Sequence, residues 1–383
     1  MSRSKIVKSE EETYYIKGRG IPKGCKYCLK GAKVVLFLNG ICQNPDHCSW
    51  YCPISEERKG KEYTYANEIK INSKEDIIEE IKKIEAKGIS ITGGEPLLES
   101  NLEKTLDIIK YIKLKKGKKF HIHLYSNGID FDEVKAEKLS KAGLDEIRFH
   151  PSKENWLNIE KALNKRMKVG VEVPVIPVKE KIKEIEQLIL YLDALGVDFV
   201  NLNEFEYCFP NSKSLKDRGF QLKKGTVASV VDSWEAGLAL IRNIGHKVSL
   251  LMHFCSIRAK DYYQLRNRYI RRAKIIKLPY EVITEEGLLL YGQIEGDPDE
   301  LDSFYKTLKH KLKINERLIF YDINTIKLPF YISIKNQFLS VLENTKLAGF
   351  IVEMTPFRVL KHQHITEKTP IKLFKEEYDF NGN

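Results

Sequence analysis

The residues best equipped for chemistry in this chain are its cysteines. Cys42, Cys48 and Cys52 fall within one short stretch, CQNPDHCSWYC. Three thiolates on one loop can hold three irons of a [4Fe–4S] cluster and leave the fourth iron open to a further ligand. A zinc site is the alternative; structural zinc takes four ligands, so it would need a partner such as His47. Cys25, Cys28, Cys208 and Cys255 remain, the count of a second, tetrahedral site for zinc, iron or an iron–sulfur cluster. Cys25 and Cys28 have a usual half-site spacing, and His253 is an alternative ligand to Cys255. The total is odd, with five of the seven in the first 52 residues, which reads as metal ligation rather than a disulfide framework. A second motif, Gly93-Gly94-Glu95-Pro96, joins two glycines that allow close backbone approach to a ligand with a carboxylate that can accept from an ammonium group.

These groups need elements to hold them. A β-branched, apolar run at 34–38 has the length of a strand, and the cysteine loop follows it. Ser73 with Asp76 forms a capping box for a helix whose face carries Ile77, Ile81 and Ile84. A strand at 89–92 runs into the GGEP motif. Leu102, Leu106, Ile109 and Ile112 mark an amphipathic helix, and a strand at 120–125 ends in Ser126-Asn127-Gly128. The rhythm continues through a helix near 132–142, a strand at 145–149, a helix near 156–168, a strand at 171–176, a helix near 180–195 and a strand at 197–203. Six strands separated by five helices predict a parallel α/β sheet with right-handed crossovers. Ligands in such sheets sit at the carboxyl ends of the strands, where the cysteine loop, GGEP, SNG and Asn201 to Glu204 all fall.

Past residue 206 the pattern changes to a polar loop, a helix around 227–241, a strand at 248–252 and a basic helix at 264–277. A hairpin across Glu286-Gly287 then opens a stretch of mixed short elements. The expected organisation is an N-terminal Cys-x2-Cys extension at 1–31, an α/β barrel at 32–206, a barrel extension with the basic helix at 207–278, and a small α+β domain for substrate recognition at 279–383.

Hydrophobic residues at 42% and charged residues at 31% exclude collagen-like and wholly disordered chains. The longest apolar stretches are far short of the ~18 residues a membrane helix needs. The polar N-terminus, MSRSKIVKSEEE, lacks the apolar segment of a secretory signal, so the expected location is the cytoplasm. Lys+Arg 64 against Asp+Glu 53 gives a net charge of +11, which suits RNA, an acidic protein or another anionic partner. Arg266, Arg268, Arg271, Arg272 and Lys274, interleaved with Tyr262, Tyr263 and Tyr269, suit phosphate binding and base stacking, or equally a solvated helix face packed by tyrosines. His121, His123, His362 and His364 alternate at strand spacing and read as structural.

The three-cysteine loop after the first strand, followed by GGEP after the second, resembles the radical S-adenosylmethionine (radical SAM) superfamily. The strings KGCKYCLKGAKVVLF, CPISEERKGK and YANE are similar to an archaeal group described only as related to the pyruvate formate-lyase activating enzyme. The superfamily usually spaces its cysteines by three and two residues; here the intervals are five and three. The resemblance implies a partial (β/α)6 barrel with a small C-terminal α+β domain. It implies that Cys42, Cys48 and Cys52 ligate a [4Fe–4S] cluster, that Tyr51 flanks the adenine, and that Gly93, Gly94 and Glu95 hold the methionine end of SAM. Ser126 and Asn127 follow as further SAM contacts, and Val175 lies in a strand whose backbone would run along the adenosine; the place of Asn203 or Glu204 at a strand end suits a contact to the ribose or substrate.

What the resemblance implies for activity is reductive cleavage of SAM to a 5′-deoxyadenosyl radical, fed by a flavodoxin- or ferredoxin-like electron donor. The substrate expected is a macromolecule, tRNA ahead of protein. A small-molecule step in cofactor biosynthesis or activation of a glycyl-radical protein is the alternative among enzymes, and a zinc-stabilised RNA-binding protein is the alternative outside them.

Overall fold

The computed structural model describes residues 5–381; Met1 to Ser4 of the polar N-terminus and the last two residues lie outside them. It splits into two compact units after Leu265. The first is built on one sheet of eleven strands: β1 (Ile6–Lys8), β2 (Thr13–Ile16), β3 (Lys33–Phe37), β4 (Thr64–Ala66), β5 (Ile69–Ile71), β6 (Gly88–Thr92), β7 (His121–Ser126), β8 (Glu146–Phe149), β9 (Lys168–Val175), β10 (Phe199–Glu204) and β11 (Leu251–Cys255). Their order across the sheet is β1-β2-β11-β10-β9-β8-β7-β6-β3-β4-β5. The strands from β3 through β6, β7, β8, β9 and β10 to β11 run parallel, while β2 and β4 are antiparallel on the two flanks. This is the partial α/β barrel expected, with a seventh parallel strand.

Period-two alternation sorts each strand into two faces. Val34, Leu36, Ile89, Ile91, Ile122, Leu124, Ile147, Phe149, Val200 and Leu202 belong to the main apolar core. They are covered by α3 (Lys74–Lys83), α4 (Glu99–Lys116), α5 (Glu133–Ala142), α6 (Lys179–Leu195) and α8 (Ser233–Ile244), with the short α1 (Lys23–Leu29), α2 (Asp46–Ser49) and α7 (Ser212–Asp217) elsewhere in the unit. The alternate positions, Lys33, His121, His123, Glu146, Arg148, Glu172, Asn201 and His253, face the other way and are polar. A closed eight-stranded barrel fills that space with branched aliphatic side chains. Here α1 fills part of it: a Cβ added at Gly24 would lie 2.5 Å from both Arg148 and His123 and 2.8 Å from Glu146.

Two expected helices differ from what forms. The segment at 156–168 is not an α-helix but a run of 3-10 turns, Lys153–Ala162. Its polar side chains compete for the backbone: Asn155 donates to the Ser152 hydroxyl, and the Asn158 amide donates to the carbonyls of Gly128 and Ile129. The helix expected from 227 begins only at Ser233, because Val230 and Ser229 form isolated bridges with Leu222 and Glu206 and Asp232 turns the chain at φ 67°. The capping box at Ser73 and Asp76 is present.

The second unit is an α+β arrangement. α9 (Leu265–Ile276) leads into β12 (Val282–Ile283), β13 (Leu289–Glu295), α10 (Pro298–His310), β14 (Phe320–Tyr321), β15 (Thr325–Leu328), α11 (Phe330–Ser333), α12 (Asn336–Leu342), β16 (Ala348–Met354), β17 (Ile365–Pro370) and α13 (Ile371–Asn381). The antiparallel sheet has the order β14-β15-β13-β16-β17, with β12 hairpinned onto β13. Leu301, Phe304 and Leu308 of α10 pack on Ile294, Ile326, Leu328 and Phe338. The basic helix thus lies with the C-terminal elements, and the expected boundary at 278/279 falls inside this unit.

Candidate functional site

The site grows from the register of β3 on β6. Phe37 pairs with Thr92, so the chain leaves both strands side by side, with the cysteine loop on one and Gly93-Gly94-Glu95 on the other. The two loops then bind each other through backbone: Gly94 N donates to Asn39 O at 2.7 Å, and Glu95 N to Ile41 O at 2.8 Å. Asn39 is anchored by its own side chain, which donates to Asn101 of α4 at 2.6 Å. A Cβ on Gly94 would sit 2.1 Å from Ile41 O, and one on Gly93, at φ +150°, 2.6 Å from Asn39 O. The glycines therefore also serve to bring GGEP against the cysteine loop.

Glu95 is likewise spoken for. Its carboxylate is buried and accepts from Leu97 N at 2.9 Å and from Asn127 N at 2.7 Å, tying the ends of β6 and β7. Burial raises its pKa to about 7 against these two bonds. The Asn127 amide donates to Gln43 at 3.0 Å, a residue beside Cys42, and so links a third loop into the set.

One cavity of about 330 Å³ lies over these loops, bordered by Cys42, Cys48, Tyr51, Cys52, Gly93, Gly94, Glu95, Ser126, Asn127 and Asn203. Every expected rim residue except Val175 is brought to it. The Val175 side chain packs into the apolar core and its carbonyl accepts from Ser233, while Pro174 and Glu172 of the same strand reach the cavity. Burial pushes the Cys48 thiol up to about 12, with Cys42, Cys52 and Glu95 adding to the effect, and raises Cys42. The Cys42 sulfur accepts only weakly from Asn44 N, at 3.4 Å.

Several bordering residues escaped the sequence reading: Tyr125, His150, Glu172 and Lys260. His150 accepts from the Tyr51 hydroxyl at Nε2 (2.7 Å) because its Nδ1 donates to Glu172 O (2.8 Å). Burial lowers its pKa to about 4. Glu172 receives Arg148 at 2.7 Å, Asn201 at 2.9 Å and Asn203 at 2.9 Å. Burial opposes its ionisation, yet the Arg148 guanidinium and the two amides hold its carboxyl at about 2. The signal was available: Glu146, Arg148 and His150 alternate at strand period, which directs His150 inward just past the end of β8.

Of the four remaining cysteines, Cys25, Cys28 and Cys255 act on one another in the interior, while Cys208 stands apart. Cys25 lies buried in α1, receiving Asn201 at 3.2 Å and Arg148 at 3.4 Å, and Cys255 packs with Leu29 and Ala259. Cys208 is at the rim instead, where burial raises its pKa to about 11 and Cys52 contributes to the rise. Among the described residues the one group placing three ligand atoms within 4.8 Å of one another is His47, Cys48 and His150. The expected tetrahedral set of Cys25, Cys28, Cys208 and Cys255 is thus not assembled among the described residues: Cys208 and Cys255 leave adjacent parallel strands at the same end, but Cys208 turns to the rim beside Cys52, whereas Cys255 lies with Cys25 and Cys28 in the interior.

Comparison with known proteins agrees with the motif order. The radical SAM superfamily profile matches residues 15–152. A protein of Methanocaldococcus jannaschii, whose name proposes a glycyl-radical enzyme activating enzyme, is 41% identical over 302 residues, 76% of this chain and 78% of its own length. Among solved structures, SuiB of Streptococcus suis bound to its precursor peptide SuiA aligns with a TM-score of 0.42 at 13% identity, covering 66% of this chain and 53% of that one. The chain thus spans about half the length of SuiB. The coproporphyrinogen III oxidase HemN of Escherichia coli aligns with a TM-score of 0.31 at 9% identity, covering 81% and 91%. This chain belongs to the radical SAM superfamily. It is an enzyme of that class, with SAM and a [4Fe–4S] cluster as its cofactors. Among the described residues no helix is long and apolar enough to cross a membrane.

Proposed function

We propose that the chain activates a partner protein by taking a hydrogen atom from a glycine of it, with Cys42, Cys48 and Cys52 holding the cluster. The observation that carries the rim assignment is the hydrogen-bonded union of the cysteine loop, GGEP and the Asn127 loop around one cavity. The donor set fits: three soft thiols border one open space, as ligands to separate irons of one cluster can. A cluster held there would supply the electron for reductive cleavage of SAM.

The chain's own residues orient and exclude. Gly93, Gly94 and Glu95 present a fixed backbone edge to the methionine end of SAM, Tyr51 closes one wall through His150, and Asn203 and Glu172 form a polar floor whose charge is already neutralised by Arg148. A flavodoxin- or ferredoxin-like protein supplies the electron. The relative from M. jannaschii supports a protein substrate over RNA. The basic helix adds little to the RNA reading, since Arg272 is buried over the Phe357 ring and Arg266 donates to Glu285 O. Residues 266–381 are then a platform for the partner protein.

The test is isotope transfer. Anaerobic, reduced enzyme with SAM is added to a proteome labelled with α-deuterated glycine. Deuterium in the released 5′-deoxyadenosine supports a glycine donor; deuterium arriving only from a ribose-labelled RNA fraction contradicts it.

A further inference from the structure

We infer that His47, Cys48 and His150 form a site for one zinc ion in cluster-free protein, so that zinc and the cluster compete for Cys48. One ligand atom from each residue lies within 4.8 Å of the other two. The competition rests on the assignment of Cys48 to the cluster; zinc binding itself does not.

Both histidines are already set up as ligands. A metal-bound imidazole almost always donates its second ring N–H to a carbonyl or carboxylate, which fixes the tautomer and turns the other lone pair toward the ion. His150 Nδ1 meets Glu172 O at 2.8 Å, and His47 Nε2 meets His150 O at 3.0 Å. Carbonyls only accept, so both nitrogens carry hydrogen, leaving the lone pairs on His150 Nε2 and His47 Nδ1. The two rings stack at 5.6 Å with 23° between their planes, which holds their mutual orientation. The lone pair of His150 accepts a hydrogen bond from the Tyr51 hydroxyl, and that hydroxyl gives way when the ion arrives.

Two imidazoles and one thiolate are a zinc donor set rather than a magnesium or calcium one. Three protein ligands leave a fourth position for water. Binding converts the Cys48 thiol to a thiolate and releases its proton to solvent. An entry path exists: a second cavity of about 240 Å³ is bordered by His47, Tyr51 and His150, and its lining charges offset one another, Glu154 and Glu184 against Lys153 and Lys181. The site is open toward this cavity on one side, while Cys48, Tyr51 and His150 face the rim cavity on the other.

The probe is zinc chloride, titrated into reduced, chelator-treated full-length protein against a chromogenic zinc chelator, with cobalt(II) spectra reporting thiolate ligation. Wild type, Cys42→Ala and Cys25→Ala are expected to bind one equivalent alike, and Tyr51→Phe to bind no more weakly. His47→Ala and His47→Gln are expected to bind more than about 100-fold more weakly, since outer-shell partners alone cost 10–100-fold. Unfolding curves confirm that each variant is native. Zinc binding unchanged in both His47 variants overturns the site, and so does its loss in Cys42→Ala, which would put zinc on the three cysteines. Iron and sulfide reconstitution of Cys42→Ala tests the cluster reading separately: a full cluster there refutes that reading without touching the zinc site.

Discussion

The barrel places thiols in two settings that share the same strands. Cys25 in the interior is surrounded by donors, Arg148 and Asn201, within a buried set whose cations Lys33 and Arg148 balance the anions Glu146 and Glu172. Cys42 and Cys48 at the rim have Glu95 for a neighbour, which raises both thiols. Burial pushes Cys25 and Cys48 alike to about 12. The difference lies in what is already satisfied: the interior thiol accepts from Arg148 and Asn201, whereas the rim thiols need positive charge from outside, which iron supplies. Two loose ends remain inside, the Nε2 atoms of His123 and His253, neither with a hydrogen-bond partner.

Removing one member from each region separates them. Cys48→Ala should abolish the iron–sulfur chromophore and SAM cleavage, while an unfolding curve stays close to wild type. Arg148→Met should do the reverse, leaving two buried carboxylates uncompensated at a cost of about 3–5 kcal/mol, read from denaturant unfolding. A smaller effect is expected for Glu172→Gln. Folding lowers this carboxyl from 4.5 to about 2, so its contribution is complete above 4.5 and is lost as pH falls toward 2. The acid limb of the wild-type stability curve should therefore flatten in the variant by roughly 3 kcal/mol across that window. Least of all, Cys208→Ser should leave iron content unchanged and shift stability by no more than about 0.5 kcal/mol, as a partly exposed group outside both networks does. A fall in iron content in Cys208→Ser would move the fourth rim thiol into the cluster site.

The strands were legible because their outward faces are uninterrupted β-branched and aliphatic residues, as at Val34, Leu36, Ile89 and Ile91. The rim set was legible because cysteine and glycine motifs sit at strand ends, where parallel sheets bind ligands. What escaped was set by side chains that act across strands. Asn158 prevents an α-helix by capping carbonyls of a distant loop, and Val175 turns outward because strand parity sends Glu172 and Pro174 to the cavity. Cys208 and Cys25 share a residue type but not a place, since one follows β10 at the rim and the other rides α1 into the interior. Spacing in sequence carries no information about that separation.

The most direct test of the difference between the two thiol sets is iron per chain after anaerobic reconstitution, with the electron paramagnetic resonance spectrum of the reduced protein recorded before and after SAM is added. Wild type and Cys25→Ala should each hold one [4Fe–4S] cluster whose spectrum changes with SAM, and Cys48→Ala should hold none. A cluster that survives Cys48→Ala and disappears in Cys25→Ala would contradict the account.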